Sequence, residues 1–547
     1  MPLPPTSHPD PRPASPASST PPAGRWLRWG PWLAGLIALA LIATGLWRLE
    51  AAGVGLQVSK QRLGATPVTV FRPAAAAPAA SAPVVLIAHG FAGSQQLMQP
   101  FATTLAHHGF VAITFDFPGH GRNPLPMHGG LADPDESLRV LLASMKEMGG
   151  FARGLAAAGG GAGSYAVVGH SMASDIVVRH AQAQPEVLAT VGVSLFAPSI
   201  VAGTPGDSPR NLLVVAGALE PQMMADEALR VVGKVTGAAP ALDVTYGRFE
   251  AGTARRATLS PGVEHIGVLY GAHTLAEALA WLNAAFGRPP VPTPPFVDAR
   301  GGSLGLLLAG VLLLAWPLSR ALPVVGQPAR REARRRWWTP RGQLPLSLAP
   351  ALATPLLLWP LPSDFLPLLL GDYLMLHFAL YGALTAAGLW WTGHRPPRWG
   401  AGRGAALALA ITLATLFAVL AIGVPVDRYL FNVQPEAGRL PLVLAMCAGT
   451  LPYFLADEWL TRGDAAAPGA YFVSKLCFLL SLVLAIVLNP PRLFFLAIIV
   501  PAILLLFIVY GLFSRWAWRR TGHPAVGAVA NALAFGSFIA VTFPLVG

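Results

Sequence analysis

The chain has 547 residues, too many for a single domain, and 54% are hydrophobic against only 12% charged. That balance excludes an ordinary soluble protein and points to membrane-spanning segments. The net charge of +12 would suit a nucleic-acid binder in a soluble chain; here the arginines cluster between long apolar runs, as in cytoplasmic loops of membrane proteins, so no nucleic-acid partner is expected.

Residues 1–24 are rich in Pro, Ser, Ala and Thr and lack the periodicity of a core, so they read as a disordered tail. Arg25 and Arg28 precede an apolar run from Gly30 to Trp47, with Trp29, Trp32 and Trp47 at its margins. Its length and aromatic ends predict a transmembrane anchor over 25–50 rather than a cleaved signal peptide. Residues 51–290 then form a water-soluble block. Short apolar runs at Val68–Phe71, Pro83–Ala88, Phe110–Asp116, Thr190–Phe196 and Leu212–Ala216 read as strands, with a further strand-like stretch at Arg256–Leu259. Helical patterns near Phe101–His108 and Leu275–Phe286 alternate with them. The alternation predicts an α/β domain whose sheet is mostly parallel and covered by helices on both faces.

One stretch organises this block: Val167-Val168-Gly169-His170-Ser171-Met172-Ala173-Ser174, followed by a helix-like segment from Asp175. It reads as strand, sharp turn and helix, with a serine hydroxyl at the apex and the free N–H groups of a helix start behind it. The stretch resembles the nucleophile elbow of the α/β-hydrolase superfamily, with Ala173 where the usual pattern has glycine. His89-Gly90 at a strand end and Asp116 to Gly121 resemble that superfamily's site-shaping loops, and the likeness covers roughly residues 56–288. It implies the α/β-hydrolase fold and, most closely, the lysophospholipase, monoacylglycerol lipase and serine-aminopeptidase-like branch.

A serine hydroxyl needs a base to take its proton, and the base needs an orienting carboxylate. The superfamily's order is serine, acid, histidine. Ser171 is therefore the expected nucleophile, Glu220 the acid in the loop after 212–216, and His265 the base. Asp226 and His273 are the alternatives for acid and base. The resemblance implies an oxyanion hole from the N–H groups of Phe91 and Met172. His89 is expected to support its loop, and His170 to fill space beside the nucleophile. Residues 122–140 offer a small lid; the connection from Phe196 to Asn211 is too short for a large one. The implied activity is hydrolysis of a carboxylic ester, lipidic if the double tether holds the site near lipid, with amide or thioester as variants. A ligand-binding domain of a transporter or sensor and an acyltransferase using the same triad are the competing functions. No metal or cofactor is expected, and Cys447 and Cys477 give no disulfide framework.

Residues 303–547 read as a transmembrane domain of about eight helices, near 303–323, 344–361, 366–391, 405–424, 440–456, 470–488, 493–513 and 525–546. The second is short and carries Pro345, Pro350 and Pro355, which leaves a re-entrant segment as its alternative. Five arginines at 330–336, then Arg395, Arg398 and Arg403, then Arg515, Arg519 and Arg520 fall on one side, which the positive-inside rule makes cytoplasmic. The hydrolase-like block then lies outside, as in a bacterial inner membrane with a periplasmic domain. Tyr373, His377 and Tyr381 share one helix face, with Asp372 beside it, and Lys475 lies near a span end from which it can snorkel. The substrate and the oligomeric state are not legible.

Overall fold

The computed structural model describes residues 25–74, 82–159, 162–236, 239–291, 293–326, 339, 341–463 and 466–547. The 1–24 tail and the five-arginine loop lie outside them. Helix α1 (Arg25–Ala51) leads into an eight-stranded sheet, β1 (Leu56–Leu63), β2 (Thr66–Pro73), β3 (Val84–Ala88), β4 (Val111–Phe115), β5 (Tyr165–His170), β6 (Val187–Val193), β7 (Leu212–Gly217) and β8 (Arg255–Ser260). Their order is β1-β2-β4-β3-β5-β6-β7-β8. β1 and β2 pair antiparallel, β2 meets β4 antiparallel, and every later pairing is parallel. β3, β4, β5 and β7 are buried along their length, as strands covered on both faces must be, which is why their sequences are mostly apolar runs.

Five helices cover the sheet: α2 (Gln99–His107), α3 (Pro134–Ala158), α4 (Met172–Ala183), α5 (Gln222–Thr236) and α6 (Ala272–Ala285). Asp133 caps α3 by accepting from Glu136 N at 2.9 Å. The 122–140 segment is not a separate lid. Its first part is a turn, α3 takes up the rest, and Met127 N donates to Leu545 O at 2.8 Å, so the chain's C-terminal end holds it down.

The helical part comprises α7 (Gly301–Ser319), α8 (Gln343–Leu358), α9 (Gly371–Trp391), α10 (Gly404–Tyr429), α11 (Ala437–Arg462), α12 (Ala470–Leu488), α13 (Leu496–Thr521) and α14 (Ala525–Thr542). Among the described residues, eight helices, α1 included, are long and apolar enough to cross a membrane, and α8 is a shorter apolar helix. α8 runs from one end of the bundle to the other. Leu346 near its start clusters with Leu389 and Leu460 at one end of the bundle, and Leu358 lies beside Tyr373 and Leu488 at the other.

Arg403 and Arg520 lie at one end of the bundle, against the segment that follows α7. Arg403 Nη1 donates to Val324 O at 3.1 Å, Arg520 Nε to Leu322 O at 2.9 Å, and Val325 N to Thr521 O at 2.8 Å. The α/β domain sits on the opposite end. There Arg122 pairs with Asp427 at 2.5 Å, and the Phe91 ring lies 4.7 Å from that of Phe495. Buried Arg439 donates through Nη1 to Ala540 O (2.9 Å) and Phe543 O (2.7 Å) and through Nη2 to Gly119 O (2.9 Å). Hydrogen bonds from a charged donor contribute more than neutral ones, and carbonyls left without a partner cost more still. Arg439→Met is therefore expected to destabilise the docked molecule by about 2–4 kcal/mol, read as a lower thermal midpoint in detergent.

Inside the bundle Lys475 does not snorkel. It is buried and ion-paired with Asp457, which also accepts from Ser474 Oγ at 2.6 Å. Arg462 pairs with Glu458, which accepts from Ser514 Oγ at 2.8 Å. Two cations and two anions are thus taken from water together, each with a partner, as charges at such depth require. His377 lies between Tyr373 OH (3.4 Å) and Ser481 Oγ (3.2 Å), and Asp372 accepts from Phe365 N and Tyr373 N.

Candidate active site

β5 ends at His170 and α4 begins at Met172, so Ser171 alone makes the turn between strand and helix. Its φ is +53° and its ψ −116°, a conformation side-chain-bearing residues rarely adopt. The turn is held by Ser171 N donating to Val193 O at 2.9 Å, and by Ser174 N and Oγ both donating to Ser171 O at 2.8 and 2.5 Å. Close packing of strand on helix is provided by Gly169, where a Cβ would lie 2.5 Å from Ala173 O. The Ala173 methyl itself is fully buried and fits.

The loop after β7 brings Glu220, and the loop after β8 brings His265. His265 Nε2 lies 2.9 Å from Ser171 Oγ, and His265 Nδ1 lies 2.8 Å from Glu220 Oε2. A carboxylate only accepts, so Nδ1 carries the proton and Nε2 presents its lone pair to the serine hydroxyl. The other Glu220 oxygen accepts from Ser194 Oγ at 2.6 Å and Gly217 N at 2.7 Å. Burial alone would raise the Glu220 carboxyl; the hydrogen bonds from His265, Ser194 and Gly217 outweigh it and hold it below its ordinary value.

The rivals lie elsewhere. His273 Nε2 is 3.0 Å from Thr258 Oγ1, and Asp226 accepts from Gln222 in the exposed part of α5. Phe91 belongs to the turn closed by Gly93 N donating to Gly90 O at 3.1 Å. That turn presses on the elbow: a Cβ on Gly90 would lie 3.0 Å from Ser171 Cβ. Met172 is the first residue of α4, so its N–H has no partner within the helix.

His89 is buried, donates from Nδ1 to Gly90 O at 2.8 Å and accepts from Phe117 N at 3.1 Å, linking the loops after β3 and β4. Asp116 accepts from Gln95 N (2.8 Å) and Arg122 N (3.1 Å) and ties the same two loops.

Two further residues were not singled out as site members in the sequence. Ser194 orients Glu220, but nothing distinguishes it from any serine after a strand. His170 does more than fill space: its Nε2 donates to the backbone oxygen of His265 at 3.0 Å. Burial first, then the neighbouring His265, push it down to about 3, so it stays neutral.

Residues 79–235 match the family model of serine aminopeptidases of the S33 type, the branch that the motifs suggest; the match covers less than a third of the chain. The sheet order, the strained serine between β5 and α4 and this match point to one fold. The domain has the α/β-hydrolase fold. Solved structures similar to it include a Thermus thermophilus protein, 17% identical, covering 43% of this chain and 99% of its own, with a TM-score of 0.32. A CIB-like hydrolase from Thermoplasma acidophilum is 14% identical over 42% of this chain and 97% of its own, with a TM-score of 0.31. A dienelactone hydrolase from Anabaena variabilis is 13% identical over 42% and 97%, with a TM-score of 0.28. No curated protein matches the chain.

The lowered Glu220 carboxyl of this α/β-hydrolase-fold domain has a consequence for stability. An unfolded glutamate has an ordinary value of about 4.3. A native value below it contributes stability in full at higher pH, and loses it as pH falls through the native value. The difference in thermal midpoint between pH 7 and pH 3 is expected to be smaller in Glu220→Gln than in the unsubstituted protein.

Proposed function

We propose that the protein is a membrane-tethered serine hydrolase that cleaves carboxylic esters through an acyl-enzyme. The observation that carries this reading is the hydrogen-bonded line from Ser171 Oγ through the His265 ring to the Glu220 carboxylate. His265 Nε2 takes the hydroxyl proton as Ser171 Oγ attacks the ester carbonyl. The negative oxygen of the tetrahedral intermediate is met by the N–H groups of Met172 and Phe91. Collapse expels the alcohol, which leaves with the proton held by His265. Water then attacks the acyl-serine with His265 again as base, releasing the acid. Glu220 remains ionised throughout and stabilises the imidazolium.

The assignment of sides follows from charge. Arg403 and Arg520 lie at one end of the bundle and the α/β domain at the other, and this distribution supports, by the positive-inside rule, a hydrolase domain outside the cytoplasm. The competing acyltransferase and ligand-binding readings share the fold but lack an observation of their own.

The test is pre-steady-state. Full-length protein in detergent, mixed with excess p-nitrophenyl butyrate, is expected to release a burst of p-nitrophenol equal to the active sites, then a slower steady rate. Absence of any turnover of activated esters would overturn the proposal.

A further inference from the structure

The site faces the bundle, and part of its rim exposes large apolar side chains. The loops after β3 and β4 carry the contacts to the helical part: Phe91 on Phe495, Gly119 O accepting from Arg439 and from Leu545 N, and Arg122 on Asp427. These loops lie at the carboxyl edge of the parallel strands, the edge that carries Ser171. That edge therefore points at the bundle end where the helices emerge.

Farther along the same edge, the loops after β6, β7 and β8 and the first turn of α5 expose large apolar side chains. Phe196 is 57% exposed, Val201 56%, Leu219 66%, Met223 62% and Ile266 40%. Neighbouring strands are about 4.8 Å apart, so β7 stands roughly 15 Å from β3 along the sheet. The apolar loops thus start where the bundle contact stops, on the far side of Ser171. On the bundle, Phe494, next to the Phe495 that meets Phe91, is also 61% exposed. Contiguous apolar patches on a domain surface mark a contact with something apolar. The stretches 194–205, 217–224 and 263–267 that carry these side chains contain no lysine or arginine, so the contact would not depend on anionic headgroups.

We propose that this rim rests in the bilayer leaflet next to the domain, and that the site draws its ester directly from that leaflet as a fatty-acyl ester of a membrane lipid. The second half rests on the serine-hydrolase reading above; the contact of rim with lipid does not.

The experiment uses the full chain in phosphatidylcholine vesicles. Val201→Cys and Met223→Cys carry an environment-sensitive fluorophore, corrected for labelling of the unsubstituted protein. Ala162→Cys, exposed at the opposite edge of the sheet, is the reference. Nitroxide-labelled phosphatidylcholine is expected to quench emission at 201 and 223 by at least half, unchanged in 0.5 M salt, and to leave 162 unquenched. Quenching at 201 and 223 by aqueous iodide to the same degree as at 162, with none by the labelled lipid, would overturn the contact. The same preparation is then given a long-chain diacyl or monoacyl glycerol ester, either in the protein's own vesicles or in separate ones. Hydrolysis confined to shared vesicles supports delivery from the leaflet, and equal rates from separate vesicles overturn it. If a fluorophosphonate labels the protein but neither presentation is cleaved, the lipid substrate is wrong. If nothing labels, the serine-hydrolase reading itself has failed, and the fluorescence alone decides the contact.

Discussion

Ser171→Ala is expected to lower kcat for ester hydrolysis by about 10⁴–10⁶-fold while leaving KM within a few-fold and the fold intact. The side chain contributes the bond-forming oxygen, and no neighbour replaces it: Ser174 Oγ, three residues on, is already committed to Ser171 O and to Phe196 N. The backbone bonds that hold the turn, Ser171 N to Val193 O and Ser174 N to Ser171 O, do not involve the lost hydroxyl. Thermal midpoint and kcat should therefore separate, with the first barely moved and the second nearly abolished. Retention of more than about a tenth of kcat would show that another group performs the attack.

Glu220→Gln is expected to lower kcat by about 10²–10⁴-fold. The amide keeps the size of the carboxylate but can turn an N–H toward His265 Nδ1. The ring would then take the other tautomer, with a proton on Nε2 facing Ser171 Oγ, and could no longer accept the serine proton. It also removes the negative charge that stabilises the imidazolium. Ser194 Oγ and Gly217 N both donate to the present carboxylate, so they favour placing the amide oxygen toward themselves and its N–H₂ toward the histidine. Glu220→Ala should fall within a similar range, whereas Asp226→Asn, whose carboxylate accepts from Gln222 on the exposed part of α5, should leave kcat within two-fold.

Much of the domain was legible because buried parallel strands are short apolar runs and leave their mark in sequence. β1 was not read. Leu56–Leu63 is an edge strand whose interior residues are all exposed, so it has neither an apolar run nor an alternating face. Glu220 and His265 were legible because each follows a strand, and the superfamily order restricts the choice. His170 and Ser194 act through a backbone oxygen and a second partner, features with no local signature. In the helical part, hydropathy gave depth but not direction: Lys475 looked free to reach water because its partner Asp457 lies 18 residues earlier on another helix. The clamp of Arg439 on Gly119, 320 residues away in the chain, depends on packing that periodicity does not carry.

The most direct measurement is covalent labelling of the intact protein by a fluorophosphonate, followed by mass spectrometry of the peptides. The account predicts one adduct, on Ser171, formed at a rate that drops at least a hundred-fold in His265→Ala and disappears in Ser171→Ala. Stable, folded protein that takes no label, or takes it on a residue other than Ser171, would contradict it.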